Sequence, residues 1–203
     1  MRFKLALAFL LICGSGFADQ NKKVQDEILA MVEEDQMARA RISDFINISD
    51  QDRQTLHEIA TKHNQQIKKI ISNVGWPGIG LVGIEGAEGM WLLIQHQDKD
   101  IAFQKQCLVL LKEAVDKQDA QYREYAYLLD RIRKSENLPQ IYGTQWEFKE
   151  GKCFLYPVEA PEQLNQRRFE AGLNSIEEYA EEMKRIFRLN DRDIFYYGSL
   201  FQE

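Results

Sequence analysis

From Gly75 to Asp98 the chain reads GWPGIGLVGIEGAEGMWLLIQHQD, with six glycines and two glutamates ahead of a short apolar run that closes on His96 and Asp98. A histidine titrates near neutral pH, so an imidazole with one nitrogen held by a carboxylate is equipped to take and return a proton through the other. Wound as a helix, residues 85–96 gather Met90, Trp91, Leu93 and Ile94 on one side and Glu85, Glu88, Gln95 and His96 on the opposite stripe. His96 is therefore the candidate general acid or base. Asp98, just past the helix end, and Asp130, from a later helix, are candidate orienting carboxylates, and Glu85 lies three turns away on the same stripe. Gly83, Gly86 and Gly89 each cost ~1 kcal/mol relative to alanine in a helix interior. Spaced three apart, they open a groove where a ligand or a partner helix reaches the backbone; the plainer reading is a polar face meeting water.

Other residues add polar chemistry. Tyr142, Gly143, Thr144 and Gln145 supply a phenol, a hydroxyl and an amide for a polar ligand, or else a tight turn closed by Thr144. Arg167 and Arg168 suit a carboxylate or phosphate clamp, or ion pairs with Glu162 or Glu170. Asp130 borders an apolar helix face near Ala126, whereas Arg131 points away. With three histidines, no His-x-x-x-His or Glu-x-x-His pairing, no clustered cysteines and no Gly-x-Ser-x-Gly, neither a metal site, a cofactor nor a serine triad is expected.

The first eighteen residues, MRFKLALAFLLICGSGFA, combine a basic start, an apolar run and small residues at Gly16 and Ala18, the layout of an export signal cleaved after Ala18. The apolar run is too short to span a bilayer, and no second one follows, so no transmembrane span is expected in the mature chain. Removing Arg2 and Lys4 with no acid takes the net charge from −6 to −8. Such a chain repels phosphate backbones, which argues against nucleic acid as a partner. Cys107 and Cys153 remain after cleavage and are a possible disulfide in an oxidising compartment; the alternative is two buried thiols.

The positioning elements are mostly helical. Val24, Ile28, Met31, Asp35, Ala38, Ile42 and Phe45 recur at helical spacing, with Asp35 interrupting the apolar stripe. Ser49 caps a second helix carrying Leu56, Ile59, Ala60, His63, Ile67, Ile70 and Ile71. Folded back about Asn47, the two helices bring Met31 to His63, which suggests a buried Asp35–His63 bond. Gly75-Trp76-Pro77-Gly78 ends the second helix. Two more helices follow, one with Phe103, Cys107, Leu110, Leu111 and Ala114 inward, the other with Tyr122, Tyr125, Ala126, Leu129 and Ile132. The period then shortens to two around Glu150-Gly151, the mark of a hairpin, before helices from Pro161 and Ser175 separated at Gly172. The aromatic tail after Asp193 is expected to pack back.

GWP at 75–77, QHxD at 95–98, Asp130-Arg131, YGTQ at 142–145, Arg167-Arg168, Gly172-Leu173 and Glu178-Tyr179 occur in an order that resembles an uncharacterised bacterial domain-of-unknown-function family. The resemblance runs from residue 75 to about 183, leaves out the first two helices, and implies a shared polar site without naming a reaction.

The sequence thus predicts a mainly α single helical domain with a small antiparallel β-hairpin near residues 141–157. Its parts are a signal peptide at 1–18, a helical hairpin at 19–74 and a family-like region at 75–203 packed on it. The chain is expected to be periplasmic or secreted. One expectation is a hydrolase or group-transfer enzyme with one cleft for a small polar or anionic ligand, His96 with Asp98, Asp130 or Glu85 supplying the chemistry and Gln95, Tyr142, Thr144, Gln145, Arg167 and Arg168 the binding. The other is a non-catalytic module whose groove takes a peptide or protein partner.

Overall fold

The computed structural model describes residues 6–42 and 48–196, with side chains from residue 19 onward. The fold is mainly helical. The first helix, α1 (Ala6–Ala40), runs unbroken through the expected cleavage point and begins to pack on its neighbours at Val24. The turn expected about Asn47 and the tail beyond Tyr196 lie outside the described residues. No helix of the described residues is long and apolar enough to cross a membrane.

Ser49 caps α2 (Asp50–Val74) as its composition requires, its hydroxyl accepting from the Asp52 N–H at 3.1 Å. Gly75 ends the helix with φ +71°. Next come α3 (Ile79–Gln95), α4 (Ile101–Asp116) and α5 (Tyr122–Ser135), which with α1 and α2 enclose a core built on Ile28, Met31, Ile67, Met90, Ile94 and Leu111. At Gly83 the φ of +71° kinks α3, a geometry that residues with a Cβ resist. A Cβ on Gly89 would stand 2.9 Å from Val32 Cγ2 and 3.2 Å from Ile28 Cγ2. The glycine groove is therefore filled, and its occupant is the chain's own α1.

The expected hairpin forms from β1 (Trp146–Lys149) and β2 (Lys152–Leu155), antiparallel, with Trp146 opposite Leu155. A third strand, β3 (Ile194–Phe195), pairs parallel with β2, so the start of the aromatic tail does pack back. After a short 3-10 turn at Pro161–Gln163 come α6 (Leu164–Glu170) and α7 (Ile176–Phe187), the latter opened by a Ser175/Glu178 capping box. These elements close a second core around Trp146, Cys153, Leu164, Ile176, Ala180 and Ile194.

Between the cores lies α5. Leu128 and Ile132 face the first, whereas Ala126 joins Tyr142 and Ala171 in a bridging cluster, which is why Leu128 is buried although it falls off the expected stripe. Cys107 sits in the first core and Cys153 in the second, both as free thiols, so the possible disulfide is not formed. Burial pushes each thiol up to about 12.

Candidate functional site

His96 caps the C-terminus of α3, its backbone N–H reaching Leu93 O at 3.2 Å. Its ring turns toward α1 and not toward either expected carboxylate. Nδ1 lies 2.9 Å from Oδ2 of Asp35, off the straight line of a ring hydrogen bond. That same oxygen accepts from Arg39 Nε at 3.0 Å and Gln36 Nε2 at 2.9 Å. Asp35 is 2% exposed, a charge set into an otherwise apolar stripe, where Arg39 and Gln36 donate to it and the His96 ring lies against it. Burial alone would raise its pKa, but the contacts with His96 and Arg39 hold the carboxyl well below its usual range. His96 is shifted down, first by burial and further by the Arg39 and Arg131 charges, with Asp35 opposing. These shifts favour a carboxylate facing a neutral imidazole at neutral pH, with Nδ1 the ring nitrogen that lies against the carboxylate. Nε2 has no partner among the described residues, and the ring edge, 14% exposed, looks into a groove.

That groove, about 860 Å³, runs along one face of α2 and is closed at its inner end by the loop joining α3 to α4. Arg53, His57, Thr61 and Asn64 line the α2 wall, Leu56 and Ala60 supply its apolar part, and Arg39 stands beside the dyad. The loop is held from several sides. Asn64 Nδ2 donates to Gln97 Oε1 at 3.0 Å, and Lys68 Nζ to Asp100 Oδ2 at 2.5 Å. Asp100 caps α4 by accepting from Phe103 N at 3.1 Å, and Gln97 Nε2 bonds Leu93 O at 3.2 Å. Arg131 spans His96: its Nε donates to Gln95 Oε1 at 2.7 Å and its Nη1 to Asp98 Oδ1 at 2.9 Å. Asp98 therefore lines the groove as the partner of Arg131, and Gln95 is a buried brace. Glu85 stays exposed, 11 residues or about 16 Å along α3 from the ring.

The remaining expected residues gather elsewhere. Asp130 is buried and accepts from the N–H groups of Ile141, Tyr142 and Thr144 at 2.7–3.1 Å and from Thr144 Oγ1 at 3.0 Å. Burial raises its pKa while these donors pull it down. It anchors the YGTQ loop. Arg168, fully buried, donates from Nη1 to Tyr142 O at 2.7 Å and Gly143 O at 3.1 Å and from Nε to Asn174 O at 2.7 Å, and lies 5.0 Å over the Tyr179 ring. Arg167 donates to the carbonyls of Ile141, Ala160 and Glu159. The Tyr142 hydroxyl meets Tyr122 Oη at 3.1 Å, and Gln145 Nε2 meets Thr144 Oγ1 at 3.1 Å. Both arginines are spent on backbone carbonyls and Asp130 on backbone donors, so none of these groups faces the groove beside His96. The single cleft expected from the sequence divides into a groove at His96 and a structural knot around YGTQ.

The Asp35–His63 bond also falls differently. Nε2 of His63 meets Glu34 Oε2 at 2.9 Å, with Lys62 on the same carboxylate, because residue 34 faces α2 while residue 35, about 100° further round the helix, faces α3. Asp35 announced itself only as a charge in an apolar stripe. Arg39, Arg53, His57 and Asn64 gave no signal beyond helical spacing. Among the described residues no group of three or more His, Cys, Asp or Glu is arranged to hold a metal ion.

A model of a family of unknown function matches residues 22–191, a span that includes α2 and most of α1 as well as the motifs from Gly75 onward. Both members of the Asp35–His96 pair fall inside it. No curated protein and no solved structure matches the chain.

Proposed function

The chain belongs to the family of unknown function DUF6624, and we propose that Asp35 and His96 form a general acid–base dyad for hydrolysis or group transfer on a small polar or anionic ligand. The observation that carries this reading is the polarity of the imidazole: Nδ1 is turned inward to a buried carboxylate, and Nε2 is left without a partner at the wall of the groove. In hydrolysis, Nε2 accepts a proton from water as the water oxygen adds to an electrophilic carbon or phosphorus. The imidazolium returns that proton to the departing oxygen or nitrogen, and Asp35 stays ionised throughout. The bent approach of Asp35 to the ring suits a ligand-free site, where such contacts straighten once substrate is bound.

The test is hydrolysis of 4-nitrophenyl acetate and 4-nitrophenyl phosphate by the parent chain, His96→Ala and Asp35→Asn. The reading predicts turnover that His96→Ala abolishes and Asp35→Asn cuts by about 10²-fold or more while both variants stay folded. Equal rates in all three proteins contradict it.

Export belongs to the same proposal. The basic and apolar start of the chain supports a periplasmic or secreted destination, and every residue of the dyad and groove lies beyond Ala18, so cleavage there leaves the site whole. The N-terminal sequence of protein recovered outside the cytoplasm, beginning at Asp19 or at Met1, decides it. The alternative of a non-catalytic binding module loses its motivating feature, because α1 already fills the glycine groove.

A further inference from the structure

We propose that the groove carries a subsite for an anionic oxygen group, a carboxylate or a phosphate, held by the guanidinium of Arg39 beside His96. This rests on the reading of the Asp35–His96 groove as the working site and names what it binds. Arg39 comes from the last turn of α1, one helical turn beyond Asp35, and its Nε is fixed on Asp35 Oδ2 at 3.0 Å. A guanidinium is planar and rigid, so fixing Nε fixes the direction of both Nη groups. Neither Nη has a partner among the described residues, and the side chain, three-quarters buried, lines the groove next to the imidazole. A paired donor fork on a side chain that lines a groove matches the two oxygens of a carboxylate or phosphate.

Charge balance around the dyad points the same way. Of the acids at the inner end of the groove, Asp98 is paired with Arg131 and Asp100 with Lys68, and the Asp35 carboxylate is enclosed by His96, Gln36 and Arg39. Lys99, also on the groove wall, has no such partner among the described residues. The arginines that the sequence offered for anion recognition, Arg167 and Arg168, are both consumed by backbone carbonyls. Arg39 is the guanidinium that the groove holds next to its base with donors to spare.

Sulfate and acetate serve as probes for the two anion classes, because neither changes protonation between pH 6 and 8, with chloride at matched ionic strength as reference. Imidazole signals of His96 and the Nε signal of Arg39 are followed by NMR during titration of the full chain. Saturable shifts with sulfate or acetate, absent with chloride, are expected, and the ion that saturates earlier identifies the phosphate or the carboxylate class. Arg39→Gln leaves an amide able to donate to Asp35 and is expected to weaken binding by about tenfold or more. Arg39→Lys, which keeps the charge and loses the fork, is expected to fall between the two and serves if the glutamine variant does not fold. Shifts that track chloride, or affinities unchanged in both variants, overturn the proposal. Failure of the dyad itself reads out separately, as an unchanged tautomer of His96 when Asp35 is replaced, with no anion present.

Discussion

Oδ2 of Asp35 stands 2.9 Å from Nδ1 of His96, joining the last turns of α1 to the C-terminal cap of α3. Because Asp35 is buried and shared with Arg39 and Gln36, the carboxylate is held in place whether or not the groove is filled. The catalytic proposal depends on this contact, and so do the pH behaviour and the sensitivity of the site to how α1 packs.

Acid should loosen the fold in two stages. His96 titrates below its ordinary 6.5 in the folded chain, so the unfolded chain takes the proton first and stability falls as pH drops below 6.5. Asp35, held below its ordinary 3.8, contributes stability in full above 3.8 and loses it as pH falls further. Urea unfolding of the parent at pH 7.5 and pH 5 should show the first stage, and His96→Gln should flatten it. Identical pH dependence in the two proteins rules this out.

Asp130→Ala is expected to cost about 3–5 kcal/mol, since it strands three backbone donors and a hydroxyl in a dry site. Denaturant titration measures the loss. A change within about 0.5 kcal/mol, the range of an ordinary surface site, removes the assignment of Asp130 as the anchor of the YGTQ loop.

Gly89→Ala tests the packing that brings Asp35 to the ring. The new Cβ would push on Val32 and Ile28 of α1 at 2.9 and 3.2 Å, and overpacking of this kind costs about 1–3 kcal/mol, against a helix-propensity gain of ~1 kcal/mol. The expected result is a modest net loss of stability together with a shift of the His96 imidazole resonances. A more stable protein with unmoved resonances contradicts the close approach of the two helices.

Cys107 and Cys153 should both resist alkylation in the folded chain and both react once it is unfolded, because burial keeps each thiol protonated with a pKa of about 12. Intact mass after labelling under denaturing, non-reducing conditions reports the result. Protection that disappears only on reduction would mean that the two sulfurs are paired.

Much of the scaffold could be read from local pattern. Ser49 at the start of α2, Gly75 at its end, the turn at Glu150-Gly151 and the break at Gly172 are decided by residues within one turn of where they act. The dyad was out of reach for a geometrical reason. Periodicity tells which residues share a helix face, but not which neighbour that face meets, and one step along α1 separates Glu34, which goes to His63, from Asp35, which goes to His96. The YGTQ and double-arginine motifs misled in a complementary way. Side chains suited to a ligand are equally suited to carbonyls and N–H groups, and here irregular backbone between α5 and α6 consumes them.

The tautomer of His96 is the measurement closest to the central claim. Side-chain ¹⁵N NMR at neutral pH should find Nδ1 protonated and Nε2 bare, and Asp35→Asn should release that preference and lower the pKa of the ring, since only burial and the Arg39 and Arg131 charges would then act on it. A proton on Nε2 in the parent chain, unaffected by the loss of Asp35, would mean that the carboxylate does not orient the imidazole and that the groove has no base.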